Sequence, residues 1–196
     1  MKRVGLLLFP MLAIALLMGI ASATATAQSV TTTGDNSNYF VIYYANNVTA
    51  APDATVRLVN DGDTAGNLWA DFYVFDDSEE LQECCACQIT PDGLLSEDVK
   101  TELTANPLTG KVPSRGVIKV ISSSSSDPTN IVPTAGLHGW ATLIQAASKT
   151  TYAMTEATMA DSNLGASEEK LLENLCYYDA LLSGLPCICT PEDHDF

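Results

Sequence analysis

The chain predicts an all-β fold, a sandwich-like antiparallel domain with one carboxy-terminal α-helix packed on it. Three observations carry that expectation. Short β-branched and aromatic runs recur between turn signals at sandwich-like intervals. One late segment carries helical rather than strand periodicity. All six cysteines fall into two groups, one mid-chain and one at the end, as staples between distant parts of one domain would require. The length of 196 residues suits a single domain.

The elements follow in order. Tyr39 to Tyr44 is aromatic and β-branched, a strand. Ala54 to Asn60 sets Val56 and Leu58 against Arg57 and stops at the turn Asn60-Asp61-Gly62-Asp63. Leu68 to Phe75 places Leu68, Ala70, Phe72 and Val74 on one face and Trp69, Asp71, Tyr73 and Phe75 on the other. Gln82 to Thr90 reads as a strand carrying the first cysteines and ends at Pro91-Asp92-Gly93. Leu95, Val99 and Leu103 are four apart, which allows a short helix before Pro107 as well as a strand. Gly116 to Ser122, Gly136 to Gln145 and Thr150 to Met159 are further strands.

Within 168–182, Leu171, Leu175, Tyr178 and Leu182 recur at i, i+4, i+7 and i+11 beside Leu172, the spacing of one buried stripe. Ser167 is the expected N-cap, and Glu168 and Glu169 sit at the positive end of the helix dipole. Gly184 and Pro186 supply stop signals. This stripe is expected to pack on the sandwich.

The amino terminus has the layout of a secretory signal. Lys2 and Arg3 precede an uncharged run from Val4 to Ile20, and Ala-x-Ala repeats lead to an expected cleavage after Ala27. The organisation is then 1–27 signal peptide, 28–38 flexible lead-in, 39–190 one disulfide-stapled β-rich domain and 191–196 acidic tail. A retained anchor is the competing reading, against which stand the short run and Pro10. With no second apolar stretch of spanning length, the mature chain is expected to be exported and soluble, periplasmic or extracellular.

Nine Lys+Arg against 24 Asp+Glu give a formal charge of −15. Phosphate binding needs a basic footprint, so nucleic acid is excluded as a partner. The same surface repels anionic membranes and favours cations or basic protein partners.

The cysteines are Cys84, Cys85 and Cys87 in ECCAC, then Cys176, Cys187 and Cys189. In an exported chain an even number reads first as disulfides. Two extended C-x-C segments lying together can form two bridges side by side, so Cys85 and Cys87 are expected to pair with Cys187 and Cys189 in some order. Cys84 to Cys176 follows by elimination, and the rival is a local Cys176 to Cys187 bridge. The alternative function is a thiol-rich site: close thiolates suit soft metals such as copper(I) or zinc, and adjacent Cys84-Cys85 could act as a redox pair. Against zinc, neither group has a convincing His beside it.

Asp76, Asp77, Glu79, Glu80 and Glu83 concentrate carboxylates before ECCAC and are candidate calcium ligands, although a solvated turn is the commoner explanation of such a run. Asn60-Asp61-Gly62-Asp63 matches part of a calcium loop, but the twelfth position from Asp61 is Phe72 rather than Glu. Asn47-Val48-Thr49 is a glycosylation triplet. No nucleophile elbow, HExxH, phosphate loop or GxGxxG occurs, and only His138 and His194 could serve a Ser-His or Cys-His mechanism. A small hydrolase using a carboxylate pair ranks last, because aromatic residues for a sugar cleft are scarce. The chain therefore reads as a structural or binding module without a catalytic site.

The stretch YVFDDSEELQECCAC, the later LTANPLTG and a carboxy-terminal helix leading to C-x-C resemble uncharacterised exported bacterial proteins across residues 54 to 190. The resemblance carries no known activity and assigns no residue a role.

Overall fold

The β-prone runs of the sequence become nine strands among the described residues of the protein, seen in a computed structural model. Those residues are 36–45, 51–64, 66–104, 112–146, 151–183 and 189, all within the unit Gly34–Phe196. The strands are β1 (Tyr39–Ala45), β2 (Thr55–Asn60), β3 (Leu68–Asp76), β4 (Leu81–Ile89), β5 (Leu94–Asp98), β6 (Arg115–Ser123), β7 (Leu137–Ala146), β8 (Tyr152–Thr158) and β9 (Ala160–Ser162). Helix α1 (Ala166–Ser183) follows them. One sheet has the order β4-β3-β6-β1-β9 and the other β5-β2-β7-β8. The pairings are antiparallel, as in β1 with β6 and β2 with β7.

The core lies between the sheets. Phe40, Ile42 and Tyr44 of β1, Val56 and Leu58 of β2, and Leu68, Ala70, Phe72 and Val74 of β3 meet there. The alternate residues of β3 look outward, yet Tyr73 among them is covered too. It joins Ile121, Ile131, Leu172, Cys84 and Cys176 in a second apolar cluster under α1. Both faces of β3 are therefore buried over much of its length, which explains why that run lacks a clean polar side.

The segment that admitted a helix or a strand contains both. Leu94–Asp98 is strand β5, and Val99–Leu103 then makes a single helical turn. Val99 and Leu103 are both buried, which is what their spacing of four serves. The carboxylate of Asp53 accepts the N–H groups of Lys100 and Thr101 and so satisfies the open start of that turn.

The run from 150 to 159 is strand β8, and a short strand β9 that the sequence did not suggest follows it at Ala160–Ser162. The chain leaves the second sheet after β8, and β9 joins the edge of the first by pairing with β1. Between them, Met159 donates its N–H to the Gly139 carbonyl at 2.9 Å.

The turn at Asn60 is fastened by side chains. Gly62 sits at φ 76°, a conformation that glycine adopts without a steric cost. Its N–H donates to Asn60 Oδ1 at 3.0 Å, and Asp63 N–H donates to Asp61 Oδ1 at 2.9 Å. The Asn60 amide then donates to the carbonyls of Gly66 and Ile89, 3.1 and 3.0 Å away, so a fully buried polar side chain is satisfied. Gly116 serves another purpose: a Cβ there would lie 1.8 Å from the Phe75 carbonyl oxygen, so only glycine permits that approach of β6 to β3.

Two expectations about the helix are corrected. The first turn begins at Ala166, so Ser167 lies inside it, and Glu169 N–H bonds the Gly165 carbonyl at 3.0 Å. The stripe of Leu171, Leu175, Tyr178 and Leu182 does not face the sheet: Leu171, Tyr178 and Leu182 are 49%, 62% and 72% exposed. Leu172 and Cys176 are the buried positions instead. At about 100° per residue, the expected stripe lies roughly a quarter turn around the helix from the residues that meet the sheet. Three anchors set that rotation: the Cys84–Cys176 bridge, the Lys119–Glu168 ion pair and the Glu173 carboxylate that accepts Ile131 N–H. The stop signals at Gly184 and Pro186 lie outside the described residues.

Candidate functional site

The feature with the most chemistry is built on β4, the edge strand of the five-stranded sheet. Strand alternation sends Cys84 to the outer face, opposite Tyr73, and Cys85 and Cys87 to the inner face, opposite Phe72 and Ala70. Cys84 is bonded to Cys176 of α1, with S–S 2.10 Å and Cα–Cα 5.7 Å. Cys87 is bonded to Cys189, with S–S 2.05 Å and Cα–Cα 5.4 Å. The first is the pairing reached by elimination, and it rules out the local Cys176 to Cys187 alternative. Cys85 is disulfide-bonded as well. Its expected partners included Cys187, which lies outside the described residues.

The bridges span 92 and 102 residues. One ties the helix to the outer face of the sheet, and the other ties the segment beyond the helix to the inner face. The sulfur atoms of Cys85, Cys87 and Cys189 all lie within 4.8 Å of one another, the single group of three His, Cys, Asp or Glu residues so close among the described residues. Neighbouring bridges on a C-x-C strand produce that proximity by themselves. A sulfur engaged in a disulfide has given up its thiolate, so the group would have to be reduced to hold a soft cation.

Two carboxyl groups of the five-stranded sheet, Asp71 on β3 and Glu83 on β4, are buried. Asp71 is fully buried on the outer face of β3. Neither of its oxygens meets a donor at full hydrogen-bonding geometry. The adjacent donor is the Ser123 hydroxyl, whose oxygen accepts the N–H groups of Ser125 and Val132. Burial raises the Asp71 carboxyl to about 8; Ser123 opposes the rise and the charge of Asp127 adds to it. Glu83 is raised to about 7, first by burial and then by Asp179, whose own carboxyl burial also raises. An acid on a strand face otherwise made of Trp69, Tyr73 and Phe75 was the available sequence signal for Asp71, and sequence reasoning missed it.

The five calcium candidates are separated by role. Asp76 accepts the N–H groups of Ser78 and Glu80 and the amide of Gln82, at 2.8, 3.0 and 2.9 Å, and so closes the β3–β4 turn. Asp77 pairs with Arg115 at 2.8 Å, Glu79 occupies the turn at φ 65°, Glu80 is exposed and Glu83 is buried. Among the described residues they do not bring three ligand atoms within 4.8 Å of one another. His138 is a β7 residue whose Nε2 lies 3.2 Å from Asp61 Oδ2. Asn47-Val48-Thr49 and His194 lie outside the described residues. Among the described residues no helix is long and apolar enough to cross a membrane.

No family model and no curated protein sequence matches the chain. Among solved structures it is similar to the crystal structure of Thermotoga maritima 1070, with a TM-score of 0.43 and 11% identity, covering 64% of this chain and 92% of that one.

Proposed function

We propose that the protein is an exported, disulfide-clasped β-sandwich module with a structural or binding role outside the reducing cytoplasm. The observation that carries this reading is that each described cysteine is bridged, with the staples joining β4 to the helix and to the segment beyond it. Such bridges persist in oxidising compartments and are removed by cytosolic thiols. The charged start, the uncharged run and the Ala-x-Ala exit at residues 1–27 supply the route out of a bacterial cell, to the periplasm or beyond. A formal charge of −15 directs the module toward basic or cationic partners rather than nucleic acid. The test is the intact mass of the exported protein before and after reduction, with metal analysis of the same sample. A gain of two hydrogens per bridge on reduction, without bound metal, is the expected result.

The second reading is a thiol-rich metal-binding or redox protein, favoured by the sulfur group of Cys85, Cys87 and Cys189. It predicts alkylatable thiols and stoichiometric copper or zinc in the freshly exported protein. The same measurement therefore decides between the two.

A further inference from the structure

Helix α1 meets the sheet with a mixed face. Leu172 and Cys176 are buried, while Asp179 lies 3.9 Å from the Cys84 sulfur and Glu168 pairs with Lys119. Its more apolar side looks elsewhere. Leu171, Tyr177, Tyr178, Leu181 and Leu182 are 49%, 52%, 62%, 63% and 72% exposed, and Leu175 is half-buried among them. Exposed apolar patches of this extent on a polar surface mark interaction sites.

We infer that this face is covered by the same face of a second copy, the two α1 helices running antiparallel across a two-fold axis. The first argument is the pattern. The stripe Leu171, Leu175, Tyr178, Leu182 has spacings that read the same in both directions. An antiparallel two-fold therefore sets Leu171 against Leu182 and Leu175 against Tyr178, and every stripe residue meets a stripe residue.

The second argument is charge. Glu168, Glu169 and Glu173 lie in the first half of α1, Asp179 alone represents the acids in the second half, and the last turn has no basic residue. The antiparallel arrangement places the acid-rich half of one helix beside the acid-poor half of the other. It also brings Lys170 alongside the negative end of the partner's helix dipole, which its own chain leaves without a basic residue. A parallel pair would instead set the two acid-rich halves side by side. An anionic membrane surface is a poor occupant for a chain of formal charge −15.

The third argument is area. Leu171, Tyr178, Leu181 and Leu182, which lie on or beside the stripe and are exposed to this degree, offer roughly 500 Å² per copy. Two copies then remove roughly 1,000 Å² from water, the lower bound for a specific interface. An interface of this small size fits a concentration-dependent association.

The experiment is sedimentation velocity of the purified exported protein between about 1 and 200 μM, at roughly physiological ionic strength where surface charges act over about 8 Å. Wild type, Leu182→Glu, Tyr178→Glu and Lys170→Glu are compared, and circular dichroism and intact mass confirm that each variant is folded and bridged. The expected result is a concentration-dependent monomer–dimer equilibrium in wild type. Leu182→Glu and Tyr178→Glu should remain monomeric throughout, and Lys170→Glu should weaken association several-fold. A wild type that stays monomeric at the highest concentration overturns the inference. So does a dimer that all three folded variants leave intact, which would place the interface elsewhere. Monomeric wild type whose α1 face is protected from hydrogen exchange would assign the face to another part of the same chain, and that too would overturn it.

Discussion

Replacing Asp71 by Asn isolates one buried ionisable group. In the folded protein this carboxyl is raised to about 8 from an ordinary 3.8, chiefly by burial. An acid whose folded value lies above its unfolded value binds a proton more tightly in the native state. Its contribution therefore favours folding fully below the unfolded value of 3.8 and is lost as pH rises toward the folded value of about 8. Between these limits the loss is about 1.4 kcal/mol per pH unit, so at pH 7 the group costs about 4 kcal/mol. Asparagine keeps the shape of the protonated acid and has no charge to desolvate. Asp71→Asn should stabilise the protein at pH 7 by up to about 4 kcal/mol, and by at least about 1 once local relaxation is allowed for. At pH 4 the two proteins should be nearly equal. The assay is urea or guanidinium unfolding under non-reducing conditions from pH 4 to 8. The slope of stability against pH should be shallower in the variant than in wild type. Identical slopes would show that Asp71 is ionised and solvated at neutral pH, and the reasoning from its burial would be refuted.

Other outcomes test the packing and the staples. Leu172→Ala should cost about 2–5 kcal/mol because its side chain is fully buried under α1, whereas Leu182→Ala in a monomeric sample should stay within about 0.5 kcal/mol; equal effects would mean that the helix rotation is wrong. The double variant Cys84→Ala/Cys176→Ala opens a crosslink of 92 residues and should lower stability by about 2–5 kcal/mol. Backbone amide exchange should report that loss first in α1. Asn60→Ala leaves the carbonyls of Gly66 and Ile89 without their donor, which should cost about 1–3 kcal/mol in equilibrium unfolding. Non-reduced peptide mapping should recover Cys84 with Cys176 and Cys87 with Cys189; scrambled pairs in native material would undo the clasp.

The strands were legible wherever one local signal was strong. The aromatic and β-branched start of β1, the two-faced alternation of β3 and the Gly-containing turn after β2 all act over a few residues, and the structure follows them. Strand β9 was not legible, because three residues carry no periodicity and their switch to the first sheet is set by the neighbour they find in space. Helix α1 was visible from its periodicity, but its rotation was misjudged. Hydrophobic count favours the Leu171 stripe, whereas a covalent bridge at Cys176 and an ion pair at Glu168 decide which side meets the sheet. The bridge itself could be reached by elimination. That it also fixes the orientation of the helix required knowing that the outer face of β4, where Cys84 points, is the face the helix covers. The buried Asp71 was missed for a related reason, since alternation alone does not reveal that the outer face of β3 is covered.

Strand β4 is nine residues long and lies at the margin of its sheet. An open margin of that length exposes a row of backbone donors and acceptors to any other extended chain, and most proteins blunt it with charge, proline or a bulge. Here the register break at Val74/Phe75 disturbs only the start of β4. At one point further along, the sulfur of Cys189, tethered through Cys87, sits 3.2 Å from the Ala86 carbonyl oxygen. A reducing agent would thus free Cys189 from its place beside the Ala86 carbonyl as well as remove a stabiliser. An edge strand nine residues long is then the place where exposure to thiols would favour pairing with other chains.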